Sequence, residues 1–166
     1  MSDAIPLERL QPCLLDRLSD DEPNKSEESR NQRIISIQRY KRGVIRDLEW
    51  LFNSSAHLPW EEIQGRSLED FPEAFKSVIN YGIRHLCGML APNMDDLERA
   101  MAQALQVFEP RINRNSIKIK AVMEQQTITF ELQGEIWANP LPEELFIRTK
   151  VDLEGGPTSI GDSGNG

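Results

Sequence analysis

The sequence predicts an α+β fold: N-terminal helices packed on one face of a C-terminal sheet of three or four mainly antiparallel strands. Three observations carry that prediction. Up to Phe108 the apolar residues recur every three or four positions, the period of a helix. From Ile117 onward they alternate, the period of a strand, with one apolar face per strand as in a sheet covered on one side. Between the two regimes stands Glu109-Pro110-Arg111, and a proline there cannot continue a helix without losing a hydrogen bond.

In order along the chain, Leu7, Leu10, Leu14 and Leu18 fall at helical spacing, but Pro12 argues against one unbroken helix. Pro12 suits the opening of a short helix whose apolar face is Leu14, Leu15 and Leu18. Two readings stand: a segment packed on its own domain, or a hook that docks on a partner. Residues 19–31 carry no apolar side chain and read as a linker. The expected layout is therefore a docking segment and linker over 1–31, a single α+β domain over 32–161, and a tail over 162–166.

The spacing predicts a helix from about Ser36 to Asn53, with Tyr40, Val44, Leu48 and Leu51 on its apolar stripe and Ile37, Ile45 and Phe52 widening it. Its first part is basic (Arg33, Arg39, Lys41, Arg42, Arg46) and Asp47 and Glu49 follow, the reverse of what the helix dipole favours. Either that face is simply solvated or the basic cluster meets an acidic partner. One or two short helices are expected between Leu68 and Tyr81, opened by Pro72 and burying Phe71, Phe75, Val78 and Ile79, with Gly82 free to take a positive φ. Asn93 should cap the next helix, with Asp96 at the capping-box position and Leu97, Met101, Leu105 and Phe108 as its stripe. The strands follow as Ile117-Ile119-Ala121, then Ile128-Phe130-Leu132-Ile136, then Leu145-Ile147-Thr149-Val151-Leu153, with a short edge strand near Thr158 to Ile160. An edge strand leaves backbone groups unpaired and is a candidate site for another chain's strand.

A chain of 166 residues with a hydrophobic fraction of 39% is long enough for one small core. Its net charge of −8, from 19 Lys+Arg against 27 Asp+Glu, disfavours a phosphate backbone as partner, so no nucleic acid is expected. Cys13 and Cys87 form no CxxC pair, which suits free thiols in a reducing compartment. There is no signal-peptide pattern and no apolar run of membrane-spanning length, so a cytoplasmic protein without membrane insertion is expected.

Catalytic patterns are absent. There is no phosphate-loop glycine pattern, no HExxH, and no GxSxG elbow. A metal site from Cys13, Cys87, His57 and His85 would require four distant positions to converge. Glu109 is the one acid in an unusual setting, and Arg111 beside it would hold it ionised, the wrong state for a general acid. Around Pro110, Glu109 and Arg111 could pair within the chain and fix the helix-to-sheet junction. Arg111, with its planar fork of donors, could equally reach a partner's carboxylates or carbonyls.

Four stretches, in order, carry a family resemblance: Leu14-Leu15-Asp16-Arg17-Leu18, Arg46-Asp47-Leu48-Glu49-Trp50-Leu51-Phe52-Asn53, Ser77-Val78-Ile79-Asn80-Tyr81-Gly82, and Phe108-Glu109-Pro110-Arg111. Over most of its length the chain resembles the TssE family, baseplate subunits of the bacterial type VI secretion system, and the related wedge proteins of contractile-tailed phage baseplates. It departs from the family pattern at Trp50 and Phe52, which are larger than the usual residues. The resemblance implies a structural, non-enzymatic subunit without cofactor or metal, sited in a cytoplasmic baseplate docked near the inner membrane. It implies wedge partners TssF, TssG and TssK and contractile sheath partners TssB and TssC, with the spike protein as a further candidate. An exposed sheet edge would act as template for the first sheath ring. Glu109, Pro110 and Arg111 map onto the family's assembly motif. Leu14, Leu15, Arg17 and Leu18 would dock on neighbouring subunits, and Asp47, Leu48, Tyr81, Gly82 and Phe108 would be structural. The family's lysozyme-like label leaves a peptidoglycan hydrolase as the alternative.

Overall fold

The computed structural model describes residues 10–18, 35–56, 72–83, 93–124, 127–138, 142–152 and 159–162. The expectations for Leu7, the 19–31 linker, His57, Phe71, His85, Cys87, Leu153 and the 162–166 tail lie wholly or mostly outside those residues.

The N-terminal half supplies the helices. Helix α1 is a short turn, Leu14–Leu18. Helix α2, Ile37–Asn53, begins one residue later than the periodicity predicts, because Ser36 stands outside it as the cap: its Oγ accepts the Arg39 N–H at 3.3 Å. Helix α3 is a single turn, Pro72–Phe75, followed by a 3-10 turn at Val78–Asn80. Here an expectation fails. Val78 is 83% exposed and Ile79 46% exposed, so neither faces the core. The chain bends at Lys76-Ser77 instead of continuing the α period, and that break rotates both side chains outward.

Helix α4, Met94–Phe108, has its predicted cap, Asn93, whose Oδ1 accepts the Asp95 N–H at 3.0 Å. Asp96 does not complete a capping box; its carboxylate pairs with Arg99 one turn on, at the exposed surface.

The C-terminal half forms a four-stranded antiparallel meander in the order β1-β2-β3-β4, with β1 Lys118–Glu124, β2 Thr127–Ile136, β3 Glu143–Asp152 and β4 Ser159–Asp162. Register sets Ala121 opposite Phe130 and Leu132 opposite Ile147, so the alternation read in the sequence lands on one face. That face meets α2 and α4. Val44, Leu48, Leu51 and Phe52 of α2, Leu97, Met101 and Leu105 of α4, and Ile128, Phe130, Leu132, Leu145 and Ile147 of the sheet form one contiguous buried cluster. The fold class is α+β as predicted, with four strands among the described residues. The larger Phe52 fits: it is buried within this cluster. Trp50 instead faces outward, with the Arg46 guanidinium over its ring at 5.3 Å.

Among the described residues β1 and β4 are the sheet edges. The β1 edge is not bare. Glu98 of α4 reaches across, and its Oε1 accepts the Ala121 N–H at 2.7 Å.

Candidate functional site

The site grows out of a turn. The backbone N–H of Glu109 closes α4 on the Leu105 carbonyl at 2.9 Å, and the Ile112 N–H then bonds the Glu109 carbonyl at 3.2 Å. Residues 109–112 are thus a β-turn with Pro110 at its second position, where a fixed φ suits the bend. The turn folds Glu109 and Arg111 back onto each other. Glu109 Oε1 accepts the Arg111 backbone N–H at 3.2 Å and its Nε–H at 2.6 Å, and Oε2 accepts from Nη2. This is the two-pronged pairing that guanidinium geometry favours.

The same turn is stitched to the sheet. Asn113 N–H bonds the Glu135 carbonyl at 2.8 Å, and Trp137 N–H bonds the Arg111 carbonyl at 2.7 Å, around an Ile112–Ile136 bridge whose side chains are both buried. Gly134 permits this approach, since a Cβ there would lie 3.0 Å from the Ile112 side chain.

From Arg111 a ladder of alternating charges runs outward. Arg111 Nη2 donates to Asp47 Oδ2 at 2.7 Å. Asp47 Oδ1 accepts Nε and Nη2 of its neighbour Arg46, at 3.0 and 2.9 Å. Arg46 Nη1 pairs with Asp16 of α1, and its Nη2 donates to Cys13 Sγ at 3.3 Å. The Cys13 thiol in turn donates to Asp16 Oδ2 at 3.1 Å. Glu109, Arg111, Asp47, Arg46 and Asp16 therefore tie the junction, α2 and the N-terminal segment into one array.

Burial sets how strongly these groups are held. Glu109 is only 3% exposed; side-chain exposure rises through Arg111 and Asp47 to Arg46 and falls again at Asp16. Burial works against the charge on Arg111, but hydrogen bonds and attraction from Glu109 and Asp47 outweigh it and hold the guanidinium more firmly protonated than usual. Burial raises the Asp16 carboxyl, yet the bonds from Arg46 and Cys13 and the fields of Arg46 and Arg39 prevail and leave it below its ordinary value. Burial, reinforced by Asp47 and Glu109, pushes the Tyr81 phenol up. Tyr81 packs edge-on against Phe108, with ring centroids 5.3 Å apart. Gly82 follows at φ +116°, where a Cβ would lie 2.2 Å from the Ser54 carbonyl oxygen, so only glycine lets the chain pass the end of α2.

The four stretches singled out in the sequence thus converge on one region. The Glu109 carboxylate faces Arg111. Among the described residues no group of His, Cys, Asp and Glu is arranged to hold a metal ion, and no helix is long and apolar enough to cross a membrane. A family model described as baseplate wedge protein gp25 matches residues 38–141, which include Asp47, Tyr81-Gly82 and Glu109-Pro110-Arg111. The chain belongs to the baseplate wedge protein gp25 family. No curated protein and no solved structure matches it. In this wedge protein the matched span holds the inner part of the ladder, while Cys13 and Asp16 lie before it.

Part of the N-terminal segment packs on its own domain, the first of its two predicted readings. Leu10 packs on its own chain, with a backbone bridge to Ile35, and Asp16 anchors α1 to Arg46. Gly43 allows that anchoring, since a Cβ there would stand 3.3 Å from Asp16 Oδ2. Leu14, Leu15 and Leu18, however, are 70%, 40% and 74% exposed. The basic run of α2 (Arg39, Arg42, Arg46) borders a depression of ≈ 440 Å³ beside Asp16, so one acid that meets the cluster belongs to this chain. Sequence reasoning missed the Asp47–Arg111 and Asp16–Arg46 pairs. The only signal was opposite charge in separate motifs, which spacing cannot match into pairs.

Proposed function

We propose that this wedge-family protein is a non-enzymatic structural component of a type VI secretion baseplate. It joins the wedge subunits TssF, TssG and TssK and initiates polymerisation of the TssB–TssC sheath, in the cytoplasm beside the inner membrane and close to the spike protein. The observation that carries the proposal is the Glu109–Arg111–Asp47 array at the helix-to-sheet junction of a gp25-family chain. Such an array fixes the angle at which the sheet and its edges are presented, which a polymerisation template needs and a hydrolase does not. Engagement of Glu109 by Arg111 counts against the peptidoglycan-hydrolase alternative.

In this reading residues 1–31 act as docking segment and linker, 32–161 as the wedge domain and 162–166 as tail. The exposed Leu14, Leu15 and Leu18, with Arg17, are the contacts offered to neighbouring subunits, and Asp16 holds them in place. The test is Arg111→Ala in cells carrying fluorescent sheath. Sheaths should disappear, and they should be missing as well in the double variant Glu109→Gln, Arg111→Met, which strands no buried charge and so keeps more of its abundance; normal sheath number in either would remove the role given to Arg111. Leu14→Gln with Leu18→Gln should weaken wedge-subunit pull-down without altering the melting temperature, because both side chains already face solvent.

A further inference from the structure

The helices cover one face of the sheet; the other face has an unusual charge for this chain. Register places three rows across β1, β2 and β3 on that outer side: Lys118–Gln133–Phe146, Lys120–Glu131–Arg148 and Val122–Thr129–Lys150. The rows hold four cations and one carboxylate in a protein whose net charge is −8. Glu131 is bonded by Arg148, and among the described residues Lys118, Lys120 and Lys150 take part in no ion pair. Like charges gathered on one sheet face repel. At one corner of this basic field Phe146 is 44% exposed, and Val122 at the opposite corner is 39% exposed. Between Phe146, Arg148, Glu131, Lys120 and Lys118 lies a groove of ≈ 300 Å³.

We propose that this face is a docking surface for an acidic protein segment that carries an apolar side chain between its carboxylates. The carboxylates would meet Lys118, Lys120 and Lys150, and the apolar side chain would cover Phe146. Two observations favour a protein segment over a polyanion. The basic field is short: two strand residues advance about 6.8 Å, so three rows span roughly 14 Å, comparable to the width of one helix at about 10–12 Å. It is also bounded by acids, Glu124 on β1 and the facing pair Glu135 and Glu144 at the opposite end, which would repel a continuing phosphate backbone. The exposed Phe146 gives the surface an apolar anchor of the kind that carries affinity at protein interfaces.

The test uses the full-length protein and fluorescence anisotropy with four probes. These are a labelled peptide with glutamates flanking one phenylalanine, the same peptide with glutamines for glutamates, duplex DNA, and phosphatidylserine vesicles. The glutamate peptide should bind, and the glutamine peptide should bind about tenfold more weakly or less. The triple variant Lys118→Glu, Lys120→Glu, Lys150→Glu should abolish binding while melting like the wild type, because all three side chains are exposed. Phe146→Ala should weaken it severalfold. Equal binding of the two peptides, no binding of either, undiminished binding by the triple variant, or tighter binding to DNA or vesicles would each overturn the proposal. None of these outcomes depends on whether Arg111 is needed for sheath assembly.

Discussion

Arg111 and Asp47 stand 64 residues apart in sequence and 2.7 Å apart in space. This contact joins the turn that ends α4 to the middle of α2, and it makes Arg111 the bridge between two carboxylates, one of them almost fully buried. Its removal would leave Glu109 in the interior without its counter-charge.

Arg111→Ala should therefore destabilise the fold by roughly 3–5 kcal/mol, the usual cost of stranding one member of a buried pair. Chemical denaturation checks the figure. The double variant Glu109→Gln, Arg111→Met should recover part of the loss, since it strands no charge.

The N-terminal segment should respond to acid. The folded-state pKa of Asp16 lies below its ordinary value. The Asp16–Arg46 tether thus stabilises fully above the ordinary carboxylate pKa of about 3.9 and is lost as pH falls through the depressed folded value. An NMR titration of the Asp16 carboxyl carbon should show its midpoint below that of a free aspartate. Arg46→Ala should move the midpoint upward; an unchanged midpoint would disconnect Asp16 from Arg46.

Gly82→Ala should lower stability by roughly 1–3 kcal/mol from backbone strain at positive φ alone. Displacement of the Ser54 carbonyl, 2.2 Å from the added Cβ, adds to it. Thermal unfolding reads the sum, and a melting temperature equal to wild type would overturn both the strain and the displacement.

Glu98→Ala should cost about 1 kcal/mol through the lost bond to the Ala121 N–H. It should also open the β1 edge, so that light scattering shows concentration-dependent self-association that the wild type lacks. A variant that stays as dispersed as wild type would mean that the Glu98 bond does not protect the edge.

Much of the fold was legible because its signals are local. Ser36 or Asn53 could be placed to within a residue because a helix buries every third or fourth side chain and starts at a capping oxygen. The alternation over Ile128 to Ile136 named the buried face of β2 because strand period is fixed by backbone geometry. The failures have local causes too. Val78 and Ile79 were assigned inward from a helical period, and the break at Lys76-Ser77 resets that period.

By itself, the sequence determined where the chain changes from helix to strand, and that Pro110 must mark the change. It also placed Glu109 and Arg111 within reach of each other, because a proline turn closes over so few residues. Only the tertiary structure decided that Arg111 also takes Asp47, that Arg46 holds Asp16, and that the lysines of β1 and β3 share one uncovered face. The physical reason is range. Periodicity and turns are set by adjacent backbone and leave a pattern in the letters. An ion pair between distant segments needs only two opposite charges brought together by packing, and it leaves no pattern at all.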